Sequence, residues 1–457
     1  MQKNGCNAMG SAPVPGLVIR MSLPIILSML VQAMYNIVDS IFVSRISEAA
    51  LTAVSLSFPA QNLMIGLAGG TAVGVNALVS RALGADDREY ANRVAENGVL
   101  LALVGYGIFL IFGLAGSRAF LAAQTSDARI IQYGVDYLTV VSCFSFGIFG
   151  QMLFDRLIQS TGRTKYTMLT QGVGAVINII LDPIFIFTLG MGVGGAAAAT
   201  VIGQIVACVM AVIINRKKNP DLKLTLKRFR PNPVIIGRIY AIGIPSALMV
   251  AVGSVMTFLM NVILIVYTAG RETTATVFGV YFKLNSFVFM PVFGLNNGMV
   301  PIIAYNYGAK NVLRMKQAIR YSMKCAVCIM TFGMIIFEAI PLQLLALFDA
   351  TEPMLEIGAP ALRIIGATFP VAAICIVLNA VYQAFGLSIY SMLISLVRQM
   401  LVLVPAAWLL AMLGGRIGND HLVWLAFPFA EVFSVSATMV FYRKLKKNVI
   451  DKIPIGQ

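Results

Sequence analysis

Long apolar segments decide what this chain can become. Twelve of them follow one another, at about 17–43, 51–80, 92–115, 130–158, 166–188, 194–215, 234–268, 274–307, 317–346, 356–385, 388–413 and 421–442. Each approaches or exceeds the roughly 20 residues that a helix needs to cross a bilayer. Several are longer than 25 residues, so tilt or extension beyond the hydrocarbon is expected. Composition agrees. Only 12% of the 457 residues are charged and 59% are hydrophobic, whereas a soluble chain carries about 25% charged residues. Mean hydropathy is +0.85. The fold class is therefore an all-α polytopic membrane protein. The opening stretch, MQKNGCNAMGSAPVPGLVIR, has neither a signal-peptide apolar region nor a small-residue cleavage pattern, so the first apolar segment is expected to be an uncleaved span.

A net charge of +15 raises nucleic-acid binding, but the distribution of that charge argues against it. With the N-terminus inside and twelve alternating spans, the cytoplasmic segments hold 26 of the 34 Lys and Arg residues and the outer loops hold five: Arg45, Arg118, Arg129, Arg271 and Arg416. Lys283, Arg363 and Arg398 fall within spans. Such a bias predicts a multi-pass protein with both termini cytoplasmic.

The chain also repeats itself. Gly84 after the second span and Gly308 after the eighth are 224 apart, as are Gly162 after the fourth and Gly386 after the tenth; Leu23-Pro24 and Ile244-Pro245 open spans one and seven, 221 apart. Each match occupies the same place in a six-span unit. Six is even, so the two units share one orientation and form a parallel repeat about an axis along the membrane normal. The predicted units are 1–215 and 234–457, the latter ending in a short basic tail, joined by a basic cytoplasmic linker at 216–233.

Against this apolar background, 171–188 (QGVGAVINIILDPIFIFT) stands out, because it places Asn178, Asp182 and Pro183 near the middle of a span. An aspartate there costs about 3 kcal/mol on insertion scales, and a chain that keeps it usually uses it. Asn178 and Asp182 share one helix face. Pro183 leaves the Ile179 carbonyl without its helical donor and invites a kink. A second acid, Asp39, ends a polar stripe on the first span formed by Ser28, Gln32, Tyr35 and Asn36, a pattern that faces a cavity or a helix partner. Thr200 lies in the small-residue stretch GGAAAAT of the sixth span, which permits close helix packing. Gln32, Tyr35, Asn36, Gln61 and Lys283 are candidate cavity-lining residues. The second unit has no matching acids: Met260 or Asn261 aligns with Asp39, and Val402 falls opposite Asn178.

Two carboxylates close together in low dielectric do not easily both stay ionised, so the pair can load and release a proton. Alternatively, Asp39, Asp182 and the oxygens of Asn178 and Thr200 make a hard-oxygen shell suited to an alkali cation such as Na+. The residues do not choose between these. Other charges read as structural. Arg398 and Glu431 sit near mid-depth on neighbouring spans and are expected to form an ion pair, with Glu338 and Arg363 as a similar pair nearer the outside. Asp155-Arg156 is expected at the cytoplasmic interface, solvated. The CxxC of Cys325 and Cys328 lies in an apolar helix without a second pair or a nearby histidine, and Cys6 stands apart; these thiols read as filler. A single histidine, His421, leaves enzyme chemistry little to work with. The 24 Met and 27 Phe residues suit promiscuous apolar binding.

Taken together, Leu23-Pro24, Asp39-Ser-Ile-Phe-Val, Val79-Ser-Arg-Ala-Leu-Gly-Ala, Asn178-Ile-Ile-Leu-Asp182-Pro183, Gly194–Thr200 and PIIAYNYG at 301–308 resemble the multidrug and toxic compound extrusion (MATE) family, in its bacterial DinF-like and MepA-like branch. The resemblance runs across nearly the whole chain. It implies twelve helices in two six-helix lobes forming a V, in a bacterial cytoplasmic membrane. It also implies export of cationic amphiphilic compounds by exchange with H+ or Na+, a first-lobe cation site at Asp39, Asn178, Asp182 and Thr200, no cofactor beyond the coupling ion, and a monomer surrounded by membrane lipids. The second-lobe acids of another branch are missing here. The competing reading is a lipid-linked precursor flippase, or a dedicated metabolite exporter, of the same superfamily.

Overall fold

The computed structural model describes residues 8–225, 229–268, 271–348 and 350–453. Lys3, Cys6, Lys227, Arg228 and the side chain of Arg271, which enter the charge and cysteine arguments above, lie outside the described residues. The described chain is helical. The first half contains α1 (Val14–Ser44), α2 (Glu48–Gly84), α3 (Arg88–Ile111), α4 (Ala128–Cys143), α5 (Phe146–Ser160), α6 (Thr164–Pro183) and α7 (Gly192–Lys218). The second contains α8 (Pro233–Tyr267), α9 (Arg271–Gly308), α10 (Val312–Ala339), α11 (Glu352–Gly366), α12 (Phe369–Ala384), α13 (Ser388–Leu396), α14 (Val404–Ile417) and α15 (Ala426–Asn448). Among the described residues ten helices are long and apolar enough to cross a membrane, or twelve when each of two bent pairs counts as one span. Span nine stops at Ala339, short of the expected 346, because Pro341 cannot continue a helix and biases Ile340 away from helical geometry.

The repeat is deeper than the glycines alone revealed. The two bent spans are α4–α5, bent by 45°, and α11–α12, bent by 51°, and their breaks occupy equivalent positions. Asp86 and Lys310 both take a positive φ, 58° and 56°. The next residue caps the following helix in each half: the Asp87 carboxylate accepts from the Tyr90 amide at 2.9 Å, and the Asn311 side-chain oxygen from the Arg314 amide at 3.2 Å. Gly162 and Gly386 end spans four and ten with φ of 81° and 79°, a backbone region that glycine enters without penalty.

Packing crosses the two halves over. The start of α1 (Leu17, Val18 and Met21) is buried in the core of the second half, and the start of α8 (Ile235, Ile239 and Ile242) in that of the first. Glycines make this possible. A Cβ on Gly294 or Gly298 would run into α1 at Ile26 or Ser22, and one on Gly243 would lie 2.8 Å from the Gly70 carbonyl oxygen of α2. At the ends of α2 and α9, a Cβ on Gly84 would overlap the Tyr305 carbonyl and one on Gly308 the Arg81 carbonyl. The first and last described stretches meet the start of α10, where Arg314 Nη2 donates to the Met9 and Ala12 carbonyls at 3.1 and 2.6 Å and Lys316 lies 3.9 Å from Asp451. The segment between the halves returns to the same face, with the Lys223 and Thr225 amides donating to Asn92 and Glu96 at 2.8 and 3.0 Å. The halves are thus zipped together on the face that carries the termini.

Candidate functional site

Asn178 and Asp182 lie one turn apart on α6, 3% and 0% exposed. After Pro183 the chain continues as a π-helical turn, Ile184–Thr188, which follows from the amide that proline lacks. α7 crosses α6 at two glycines. A Cβ on Gly203 would lie 2.6 Å from the Gly174 carbonyl oxygen, and one on Gly174 2.9 Å from that of Gly203. This close approach brings Thr200, one turn from Gly203, against Asn178. The Asn178 amide donates to Thr200 Oγ1 at 3.3 Å and to Asp182 Oδ1 at 3.4 Å.

Three oxygens remain buried without a partner: Asn178 Oδ1, Asp182 Oδ2 and Asp39 Oδ1. Asp39 lies on α1, which packs along α6. A buried acceptor without a donor costs about 1–3 kcal/mol, and more when charged. Two of these acceptors lie on α6 and one on α1, and none has a donor among the described residues. Gln61 of α2 donates to the Tyr137 hydroxyl of α4 at 3.0 Å.

A cavity of about 130 Å³ leads from Asn178 and Thr200 between α6 and α7, past Gln32 and Tyr35, to Asp155, with space for several water molecules. Three of the sequence candidates, Asn36, Gln61 and Lys283, are not on its wall. Asn36 is exposed, and Lys283 sits on α9 with its Nζ 5.8 Å from the centroid of the Phe348 ring.

Asp155 corrects the sequence reading. It is not a solvated interface residue but 2% exposed. Thr170 Oγ1 donates to its Oδ1 at 2.7 Å and Gln171 Nε2 to its Oδ2 at 3.1 Å. The neighbouring Arg156, which made the pair look peripheral, instead donates to Gln159 at 2.9 Å. The cost argument applied to Asp182 holds for Asp155 as well. Tyr137 had no comparable signal, because a tyrosine in an apolar helix is ordinary. Removing the carboxylate strands the Gln171 amide, whereas Thr170 Oγ1 still reaches the Thr167 carbonyl at 2.9 Å, so Asp155→Ala is expected to lower stability by roughly 1–3 kcal/mol, while Asp155→Asn keeps an acceptor and costs less. Thermal unfolding in detergent compares the two variants.

Elsewhere, Arg398 and Glu431 pair directly, with Glu431 nearly buried. Arg398 sits in a π-helical segment, Val397–Leu403, that joins α13 to α14. Glu338 and Arg363 do not pair; both are exposed, and solvent screening leaves little reason for a contact. In the second half the positions matching the candidate site hold Met260, which is buried, and Val402.

A twice-repeated helical membrane protein with an ionisable site in one half has the architecture of a secondary transporter. A MatE family model matches residues 24–184 and 245–409, and the chain belongs to the MATE family of membrane transporters; it is not an enzyme. It is similar to multidrug export protein MepA of Staphylococcus haemolyticus, 25% identical over 432 residues that cover 94% of each chain. Among solved structures it resembles an outward-facing multidrug resistance MATE family transporter of the MOP superfamily, with TM-score 0.92, 25% identity and coverage of 99% of this chain and 100% of that one. It also resembles a MATE crystallised in complex with MaL6, with TM-score 0.91, 25% identity and coverage of 97% and 99%.

Proposed function

We propose that this chain is a multidrug exporter of the bacterial cytoplasmic membrane that moves cationic amphiphilic compounds outward in exchange for H+ or Na+. Lobes 1–215 and 234–457 rock about the cavity between them, and both termini are cytoplasmic. The observation that carries the reading is the set of three unpartnered buried oxygens from Asp39, Asn178 and Asp182 beside Thr200, in one half only. An ion bound there alters the charge of the crossing between α1, α6 and α7. By linkage it shifts the balance between inward and outward states only to the extent that it binds one of them better. The similarity to MepA and the Lys and Arg bias of the terminus-bearing loops support drug export and orientation respectively. With the terminus-bearing face zipped shut, we read the conformation as outward-facing.

The test is counterflow in liposomes loaded with an organic cation such as ethidium, with proton and sodium gradients imposed separately. Export rising several-fold under at least one gradient is expected. Export indifferent to both would overturn ion coupling.

A further inference from the structure

A second cavity, of about 550 Å³, opens between the two halves on the terminus-bearing face. Arg81, Asp87 and Tyr90 line it from the first half, and Arg238, Ile242 and Phe385 from the second. Its remaining walls are largely small and apolar. Both arginines are held in place without being neutralised. The Arg81 guanidinium lies 4.5 Å from the centroid of the Tyr307 ring, and Arg238 Nη1 donates to the Tyr90 hydroxyl at 3.1 Å. Neither forms an ion pair among the described residues. The one acid on the wall, Asp87, spends a carboxylate oxygen capping α3 at the Tyr90 amide. Two guanidinium groups, each with N–H donors to spare, thus face one cleft with a single carboxylate between them.

The depth is informative. Arg81 lies three residues before the end of α2 and Arg238 five residues after the start of α8, about 5–8 Å inside the helix ends. Both arginines therefore stand on the helices themselves and not on the loops beyond them. Guanidinium forks match phosphate oxygens in a bidentate manner, and basic pockets between membrane helices on the cytoplasmic side are suited to anionic lipid heads.

We infer that this cleft binds the phosphodiester headgroup of an anionic phospholipid, with Arg81 and Arg238 gripping the phosphate from opposite halves and the acyl chains leaving toward the bilayer. The cleft is walled by both halves where Gly84 lies against the Tyr305 carbonyl and Gly308 against the Arg81 carbonyl, so the lipid binds the closed terminus-bearing face and favours it. The source of the lipid, the inner leaflet, rests on the orientation proposed above; the cleft itself does not.

The experiment uses the full-length protein in nanodiscs of phosphatidylcholine with phosphatidylglycerol, and native mass spectrometry to count retained phosphatidylglycerol. This readout does not involve transport, so its failure and the failure of the exporter reading are separate. Arg81→Gln with Arg238→Gln is expected to lower retention roughly 30-fold, from the loss of two charges near the surface. Lys217→Gln with Lys218→Gln, on the same face, leaves it unchanged. Arg81→Lys with Arg238→Lys keeps both charges and recovers most of the retention, which separates loss of charge from loss of fold. Equal retention by the glutamine pair and the wild type would overturn the site. Displacement of the lipid by excess inorganic phosphate would overturn the lipid assignment and leave a small-anion site.

Discussion

Replacing Asp39 and Asp182 together by asparagine is expected to reduce gradient-driven export to the rate of passive leak. Asparagine nearly preserves shape and removes the two ionisable oxygen pairs, so the helices should still pack. What is lost is the difference between loaded and unloaded states, and a transporter without that difference gains nothing from a gradient. The variant should fold as well as the wild type, or better, because two costly buried charges are gone. Binding of an organic cation, measured by fluorescence polarisation in detergent, should persist where the drug contacts other residues. Counterflow in proteoliposomes is the decisive measurement. Wild-type, gradient-dependent rates in the double variant would remove Asp39 and Asp182 from the coupling mechanism.

The second large effect is steric. Gly84→Ala and Gly308→Ala each place a methyl group where the backbone of the opposite half already lies, on the Tyr305 or Arg81 carbonyl. Neither α2 nor α9 can relieve the clash by a rotamer change, because the obstacle is main chain. The two helices must part, at a cost of about 1–3 kcal/mol typical of overpacking. Only the state zipped on the terminus-bearing face bears that cost, so its population relative to the opposite state should fall roughly 5- to 150-fold. Alanine is otherwise the better helix former by about 1 kcal/mol, so a loss cannot be blamed on helix propensity. Spin labels at the exposed Asp86 and Lys310 should report a longer and broader distance in either variant, with slower export. Gly237→Ala, which meets nothing within 4 Å, is the control and should leave the distance unchanged. An unaltered distance in Gly84→Ala would show that the crossing yields without opening the face.

Much of this architecture was legible in the residues. Proline and apolar length are local properties, and they placed most helix limits to within a few residues; the exception, span nine, was lost to a proline that the apolar pattern concealed. The periodic glycines announced the repeat because each ends a span where a left-handed residue or a close approach is required. Asp182 announced itself by its cost. Asp155 did not, because its neighbour Arg156 imitated an interfacial pair, and only the positions of Thr170 and Gln171 on the adjacent helix show where that carboxylate is held.

Residue content alone makes the chain a twelve-span membrane protein built twice over, with the mid-span acids that lack a basic partner in its first half. Those features follow from segment-by-segment transfer energies, which depend only on what each segment contains. The tertiary structure decided which residues meet. Thr200 reaches Asn178 because Gly174 and Gly203 let α6 and α7 touch, and α1 and α8 each bury their first turns in the other half because glycines on α9 and α2 leave room. Crossings of this kind join positions far apart in the chain, and their energy belongs to pairs of helices that no single segment encodes.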